Sequence, residues 1–171
     1  MIKKNDIIES VANALQYISY YHSPDFIRAM GAAYEKEKSP TAKDALAQIL
    51  YNSRLCAQGH RPICQDTGIA VVFVEVGMQV QFDTNIALDD IINEGVRQAY
   101  LNSENRLRAS VLSDPAGKRI NTKDNTPAII HYKMVPGNQV HFKIAAKGGG
   151  SENKARFAAL NPSADLQQWI I

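Results

Sequence analysis

Residues 69–76 read IAVVFVEV, a short, nearly continuous apolar run rich in β-branched side chains. Such a run reads as a buried strand, so the chain must supply other elements to cover it. Gly77 ends the strand or sits at a bulge. On both sides of the run the hydrophobic period changes to that of a helix.

Before it come three helical segments. Residues 6–20 set Ile7, Val11, Leu15 and Ile18 on one face at spacings of three and four. Ser23-Pro24 reads as an N-cap followed by proline at the first helical position, and opens a helix through Phe26, Ile27, Met30 and Tyr34. Ser39-Pro40 repeats the signal for a third helix through Ala45, Leu46, Ile49 and Leu50, with Gly59 and Pro62 marking its end. After the strand, residues 87–101 return to helical spacing through Leu88, Ile91, Ile92, Val96 and Tyr100. A polar stretch over 102–126 follows, with Asp114-Pro115 and Gly117 as turn signals. Residues 128–135 and 139–146 are strand-like, and Pro136-Gly137-Asn138 between them reads as a hairpin. A helical stretch through Phe157 and Leu160 and then LQQWII close the chain. The expected class is mixed α/β: helical N-terminal segments packed on a small mixed sheet that contains the hairpin and the 69–76 strand.

The 171 residues suffice for one domain with a sizeable core, and no repeat, low-complexity tract or linker divides residues 1–171. A net charge of +2 draws the chain to neither nucleic acid nor a membrane surface, and no apolar run approaches bilayer length. The amphipathic N-terminus MIKKNDIIESVANAL lacks the uninterrupted core of a signal peptide, so the expected location is the cytoplasm. The apolar end Trp169-Ile170-Ile171 carries no stop signal. It reads as a chain cut inside something larger, with an exposed patch that favours self-association into a homo-oligomer.

Four stretches can carry chemistry. RPICQDTG, residues 61–68, crowds a thiol, an amide, a carboxylate and a hydroxyl before the strand. A turn at Asp66-Thr67-Gly68 with Cys64 as a small buried hydrophobe accounts for it blandly. Alternatively, Cys64 is a soft metal ligand, Asp66 a proton carrier and Gln65 an orienting amide, all held at the mouth of a rigid element. AKGGGSENKA, residues 146–155, spends backbone entropy on three glycines. Their N–H groups can converge on an anion beside Lys147, with a helix beginning near Ser151 or Glu152 adding donors. It matches no phosphate-loop pattern, and a carboxylate is the anion expected. Arg106 and Arg108, in NRLRASVLSDP, either complement a helix end or clamp a carboxylate bidentately. DNTPAIIH, residues 124–131, is a turn into a strand. His131 and His141 fall on one face of the expected hairpin, where a metal pair competes with two solvated histidines. Cys56, on a helical pattern, is packing, and His22 and His60 show no partners. With only two cysteines there is no disulfide framework and no full cysteine metal site.

ICQDTG and KGGGSENK, with EGVRQAY, LRAS, DP and DNTPA in order between them, resemble the N-terminal half of class I fumarate hydratases, the iron–sulfur hydro-lyase family that includes L-tartrate dehydratase. The resemblance spans nearly the whole chain. It implies reversible hydration of fumarate to malate at a [4Fe–4S] cluster held by three cysteines, with one iron open as a Lewis acid. Cys64 stands at the first cluster-ligand position. Gln65 and Asp66 match substrate-contacting residues, Asp66 being placed to assist proton movement. Arg108 matches a carboxylate-binding arginine, and Gly149 and Gly150, with Lys147 beside them, offer backbone donors to the same ligand. The KGGGSEN loop resembles the fumarase branch, with the tartrate dehydratase alpha part as the alternative. Because only one of the three ligand cysteines is present, the implied partner is a missing C-terminal domain or beta subunit, and the chain alone is expected to be inactive. Two other classes compete: a cluster-free module binding a dicarboxylate through Lys147, the glycines and Arg108, and a thiol enzyme using Cys64. The latter lacks a sequence-local base apart from His60, and the adjacent acid opposes thiolate formation.

Overall fold

The computed structural model describes residues 1–149 and 156–170. Its architecture is mixed α/β, as the sequence leads one to expect. Three helices come first: α1 (Lys4–Tyr20), α2 (Pro24–Lys36) and α3 (Pro40–Gly59). Proline occupies the first helical position of both α2 and α3, where its missing N–H costs no hydrogen bond. The Ser39 hydroxyl accepts from the Ala42 N–H, while Ser23 makes no such side-chain bond. Gly59 is the last residue of α3, but the left-handed capping residue is His60, at φ 48°.

Strand β1 (Ile69–Gly77) lies at the centre of a three-stranded sheet, after which comes α4 (Leu88–Tyr100). The apolar stripe of α1, with Ile7, Val11 and Leu15 almost fully buried, packs on α4, which buries Ile91, Ile92, Val96, Ala99 and Tyr100. The same core takes in Ala70, Val72, Val74 and Val76 from alternate positions of β1. Fully burying one such branched side chain contributes roughly 1.5–3 kcal/mol, so this helix–helix–sheet layer carries most of the fold. Helix α4 approaches α1 closely at Gly95, where a Cβ would lie 2.7 Å from Cβ of Val11.

The sheet departs from the expected pairing. Strands β4 (Ile129–Val135) and β5 (Val140–Lys147) form where anticipated, but they do not pair with each other. Strand β1 lies between them, parallel to β4 and antiparallel to β5. The turn at Pro136-Gly137-Asn138 crosses the end of β1, with the Gly77 N–H donating to Gln139 O at 2.8 Å and the Gln79 N–H to Gly137 O at 2.9 Å. The reason is patterning. The most continuously apolar strand takes the centre, where both edges are hydrogen-bonded, and the strands bearing Lys133 and Lys143 take the edges, which charge protects. Histidines 131 and 141 therefore stand on opposite sides of β1. His131 stacks on Phe73 with centroids 4.9 Å apart, and His141 is in register with Glu75.

A small hairpin does occur, in the polar stretch. β2 (Leu112–Ser113) and β3 (Ile120–Asn121) pair antiparallel around Asp114, which adopts φ 50°. The helical stretch expected through Phe157 and Leu160 is absent: residues 156–160 have no regular structure, and the helix there is α5 (Leu166–Ile170). Phe157 is 94% exposed, and a short helix with no surface on which to bury its stripe lacks its main source of stability. Leu166, Trp169 and Ile170 are also exposed. Among the described residues no helix is long and apolar enough to cross a membrane.

Candidate active site

The segment from His60 to Gly68 is held at both ends by hydrogen bonds to its main chain. The Ile63 N–H donates to Ser19 O at 2.8 Å, and Asn52 Nδ2 donates to Ile63 O at 3.1 Å. At the other end the Thr67 hydroxyl donates to the carbonyl of Arg108, and Tyr100 O–H reaches both Thr67 O (2.9 Å) and Gly68 O (3.2 Å). Burial pushes the Tyr100 phenol up to about 12, so it stays protonated and remains a donor across neutral pH.

With the backbone held, Cys64 and Gln65 project outward, both exposed, with the thiol donating to Gln65 Oε1 at 3.2 Å. Asp66 is half-buried and accepts from the Gly149 N–H at 3.0 Å. Gly68 makes this approach possible. It adopts φ +74°, and a Cβ there would fall 2.4 Å from the backbone carbonyl of Lys147. The end of β5 thus lies directly against the loop, and Gly148 and Gly149, which follow it, lie beside Asp66.

Gln65, Asp66, Arg108, Ser110, Asn121 and Gly149 line one cleft of about 410 Å³. Asp66 is also in the wall of a smaller cavity of about 180 Å³ next to it, which Cys64 and Thr67 line. One carboxylate therefore separates a thiol from a guanidinium. Cleft and cavity together put a thiol, a carboxylate and a guanidinium within one small region, groups able in principle to ligate a soft metal, move a proton and pair with a carboxylate.

Of the residues singled out from sequence, Cys64, Gln65, Asp66, Arg108 and Gly149 come together here. Lys147 adjoins them at the end of β5, its ammonium donating to Gly148 O at 2.9 Å. Gly150 lies outside the described residues, as do Ser151 and Glu152. Arg106 is exposed and does not line the cleft. Cys56 is buried, its sulfur 3.6 Å from both Asn52 Oδ1 and Pro62 O, and it serves packing. His22 and His60 do have partners: Ser53 Oγ lies 3.0 Å from His22 Nδ1, and His60 stacks on Tyr20 at 4.6 Å. Among the described residues no group of three or more histidine, cysteine, aspartate or glutamate side chains could hold a metal ion. Sequence reasoning missed the supports, Thr67, Tyr100 and Asn125, and the wall residues Ser110 and Asn121. Local patterns read the supports as turn or core, and only long-range pairing reveals their second task.

Comparison with known proteins adds a family. A model described as fumarate hydratase (Fumerase) matches residues 8–171. The putative L(+)-tartrate dehydratase subunit alpha of Methanocaldococcus jannaschii is 28% identical over 94% of this chain and 57% of its own length. The anaerobic class I fumarate hydratase of Escherichia coli strain K12 is 35% identical over 71% of this chain and 22% of its own length. Fumarate hydratase 2 of Leishmania major is 31% identical over 88% of this chain and 27% of its own length. The chain thus spans about half of the tartrate dehydratase subunit and about a quarter of the fumarate hydratases.

Proposed function

The chain belongs to the fumarate hydratase family, and we propose from that premise that it contributes part of the active site of a cytoplasmic iron–sulfur hydro-lyase that interconverts fumarate and malate. The observation that carries the reading is the convergence of Gln65, Asp66, Arg108 and Gly149 on one cleft with Cys64 beside it.

The residues fit a shared cluster, not a self-contained one. Cys64 is an exposed thiol with open approach, whereas Cys56 is buried and held by its neighbours. A cubane is held by several thiolates, so Cys64 would supply one ligand and a further domain or a beta subunit the others. On this reading the chain is inactive by itself. When bound, such a cluster supplies Lewis acidity toward an oxygen of substrate or water.

This chain's own residues do the rest. Arg108 pairs its guanidinium with a substrate carboxylate, a geometry that fixes the plane of the acid as well as its place. The Gly149 N–H, which here holds Asp66, passes to a second acidic oxygen of the substrate as it enters. Asp66 holds or returns a proton at its carboxylate while hydroxyl and hydrogen add across the double bond. Gln65 orients a polar group at the same mouth, and Lys147 raises the local positive potential for a dianion.

The test combines the chain with the polypeptide completing the enzyme, made anaerobically with iron and sulfide. Expected are cluster absorption and malate formed from fumarate in the combined sample and neither with the chain alone. A combined sample that stays colourless and inert refutes the reading and favours the cluster-free dicarboxylate-binding module. A second substrate has specific support: the tartrate dehydratase subunit matches over more of this chain than the bacterial fumarate hydratase does. Faster turnover of L-tartrate than of malate in the same sample would assign the chain to that branch.

A further inference from the structure

The motif DNTP, read from sequence as a turn, holds a fully buried side chain that the function above does not use. Asn125 has no exposed surface. Its Oδ1 accepts from the backbone N–H groups of Ser110 (2.6 Å) and Val111 (3.1 Å), and its Nδ2 donates to Gly68 O at 2.9 Å. These partners are far apart in sequence and belong to the two halves of the cleft. Ser110 and Val111 continue the segment bearing Arg108, and Gly68 ends the loop bearing Cys64, Gln65 and Asp66.

The turn is itself anchored. Asp124 accepts from the Thr126 N–H and hydroxyl and from Arg97 Nε at 3.1 Å, while the Ala128 N–H donates to Asn93 Oδ1 at 2.8 Å. Arg97 and Asn93 lie on α4, the helix whose Tyr100 hydroxyl also reaches Gly68 O. One helix therefore holds both the turn that carries Asn125 and the Gly68 end of the loop. Asn125 adopts φ 62°, a conformation that asparagine tolerates better than most residues.

We infer that Asn125 is a positioning residue that sets the distance and orientation of Arg108 relative to Asp66 by hydrogen-bonding the two segments that carry them. The inference rests on the proposed function only in naming a dicarboxylate as the ligand. Neither segment has regular structure where the two meet, and a buried amide with both of its ends satisfied fixes their spacing as a strand ladder would. The Thr67 hydroxyl on the Arg108 carbonyl is the parallel strut. Loss of Asn125 leaves the Arg108 segment with the Asn121 amide on Ala109 O and the Thr67 hydroxyl on Arg108 O, of which the Thr67 bond is the one that comes from the loop bearing Asp66, and misplacement of a binding group by about 1 Å is costly to a reaction.

Two variants separate the functions of the side chain. Asn125→Gly keeps the unusual φ accessible and removes every bond. Asn125→Asp keeps the acceptor toward Ser110 and Val111 and sets an oxygen against Gly68 O. In the full chain, amide exchange at Ser110 and Val111 should quicken by at least about tenfold in Asn125→Gly and stay near wild type in Asn125→Asp. In the combined enzyme, Asn125→Gly should raise KM for fumarate about tenfold with a smaller change in kcat. In an Arg108→Ala background the same change should add little, because Asn125 acts through Arg108. Unchanged exchange in Asn125→Gly, or a full and independent effect in the Arg108→Ala background, overturns the inference. Should wild type show no hydration, the functional reading fails separately, and the exchange data alone decide whether Asn125 joins the segments. Should Asn125→Gly not fold, Asn125→Asp carries the test, since loss of protection there refutes the assigned acceptor role.

Discussion

Replacing Gly68 by alanine should disturb the fold and the site together. At φ +74° an L side chain costs about 1–2 kcal/mol from its own backbone. The new Cβ would also stand 2.4 Å from C and O of Lys147 and 2.8 Å from N of Gly148, where ordinary contact begins at 3.4 Å. Those atoms are backbone, so the end of β5 must retreat by about 1 Å, and overpacking of this kind costs about 1–3 kcal/mol. The sum is a loss of roughly 2–5 kcal/mol, a large share of an ordinary domain's stability. Urea unfolding of the full chain should show a lower midpoint with an unchanged slope. The same retreat carries Gly149 away from Asp66, whose bond to its N–H is 3.0 Å, so KM for the dicarboxylate should rise in the combined enzyme. A Gly68→Ala chain within about 0.5 kcal/mol of wild type would refute the argument, because it would mean that β5 does not abut the loop.

Gly95→Ala should destabilise the chain by about 1–3 kcal/mol, since its Cβ would meet Val11 and the Ile8 carbonyl at 2.7–2.8 Å, whereas Gly31→Ala on α2, with nothing within 4 Å, should stabilise it by about 0.5–1 kcal/mol. Thermal unfolding of both variants checks the pair, and equal shifts would contradict it. The raised Tyr100 phenol predicts alkaline instability with a definite window. Its folded value, about 12, exceeds the unfolded value of 10.0, so its contribution is whole below about pH 10 and is lost as pH rises toward 12. Tyr100→Phe should remove the part of the pH-dependent loss between those limits that belongs to this group. Cys64→Ser should leave the unfolding midpoint of the chain within about 0.5 kcal/mol, the residue being exposed, and abolish cluster absorption in the combined enzyme. Retention of the full absorption would remove Cys64 from the ligand set.

Much of this molecule is legible in the order of its residues, and the parts that are not share a cause. The helices α1 to α4 and strand β1 follow from local period and from the Ser-Pro starts, because those signals act within a few residues of where they are written. Cys64, Gln65 and Asp66 could be singled out because crowding and residue type are also local, whereas Arg108 is told from Arg106 by the resemblance of LRAS to the family's block. Pairing is a different matter. Nothing near Pro136-Gly137-Asn138 says that the strands on either side flank β1 and do not meet. That outcome reflects which strand gains most from a central place, a comparison across some seventy residues. The helix anticipated around Phe157 fails for the complementary reason: its pattern exists, but the described structure offers it no surface. Asn125 shows the division most clearly. Its sequence context specifies a turn, and the turn is there, yet its amide joins Gly68 to Ser110 because α4 holds the turn beside the Gly68 loop. Local sequence determined the elements and the reactive groups. Long-range burial and hydrogen bonding, which depend on how whole elements pack, decided the distances between them.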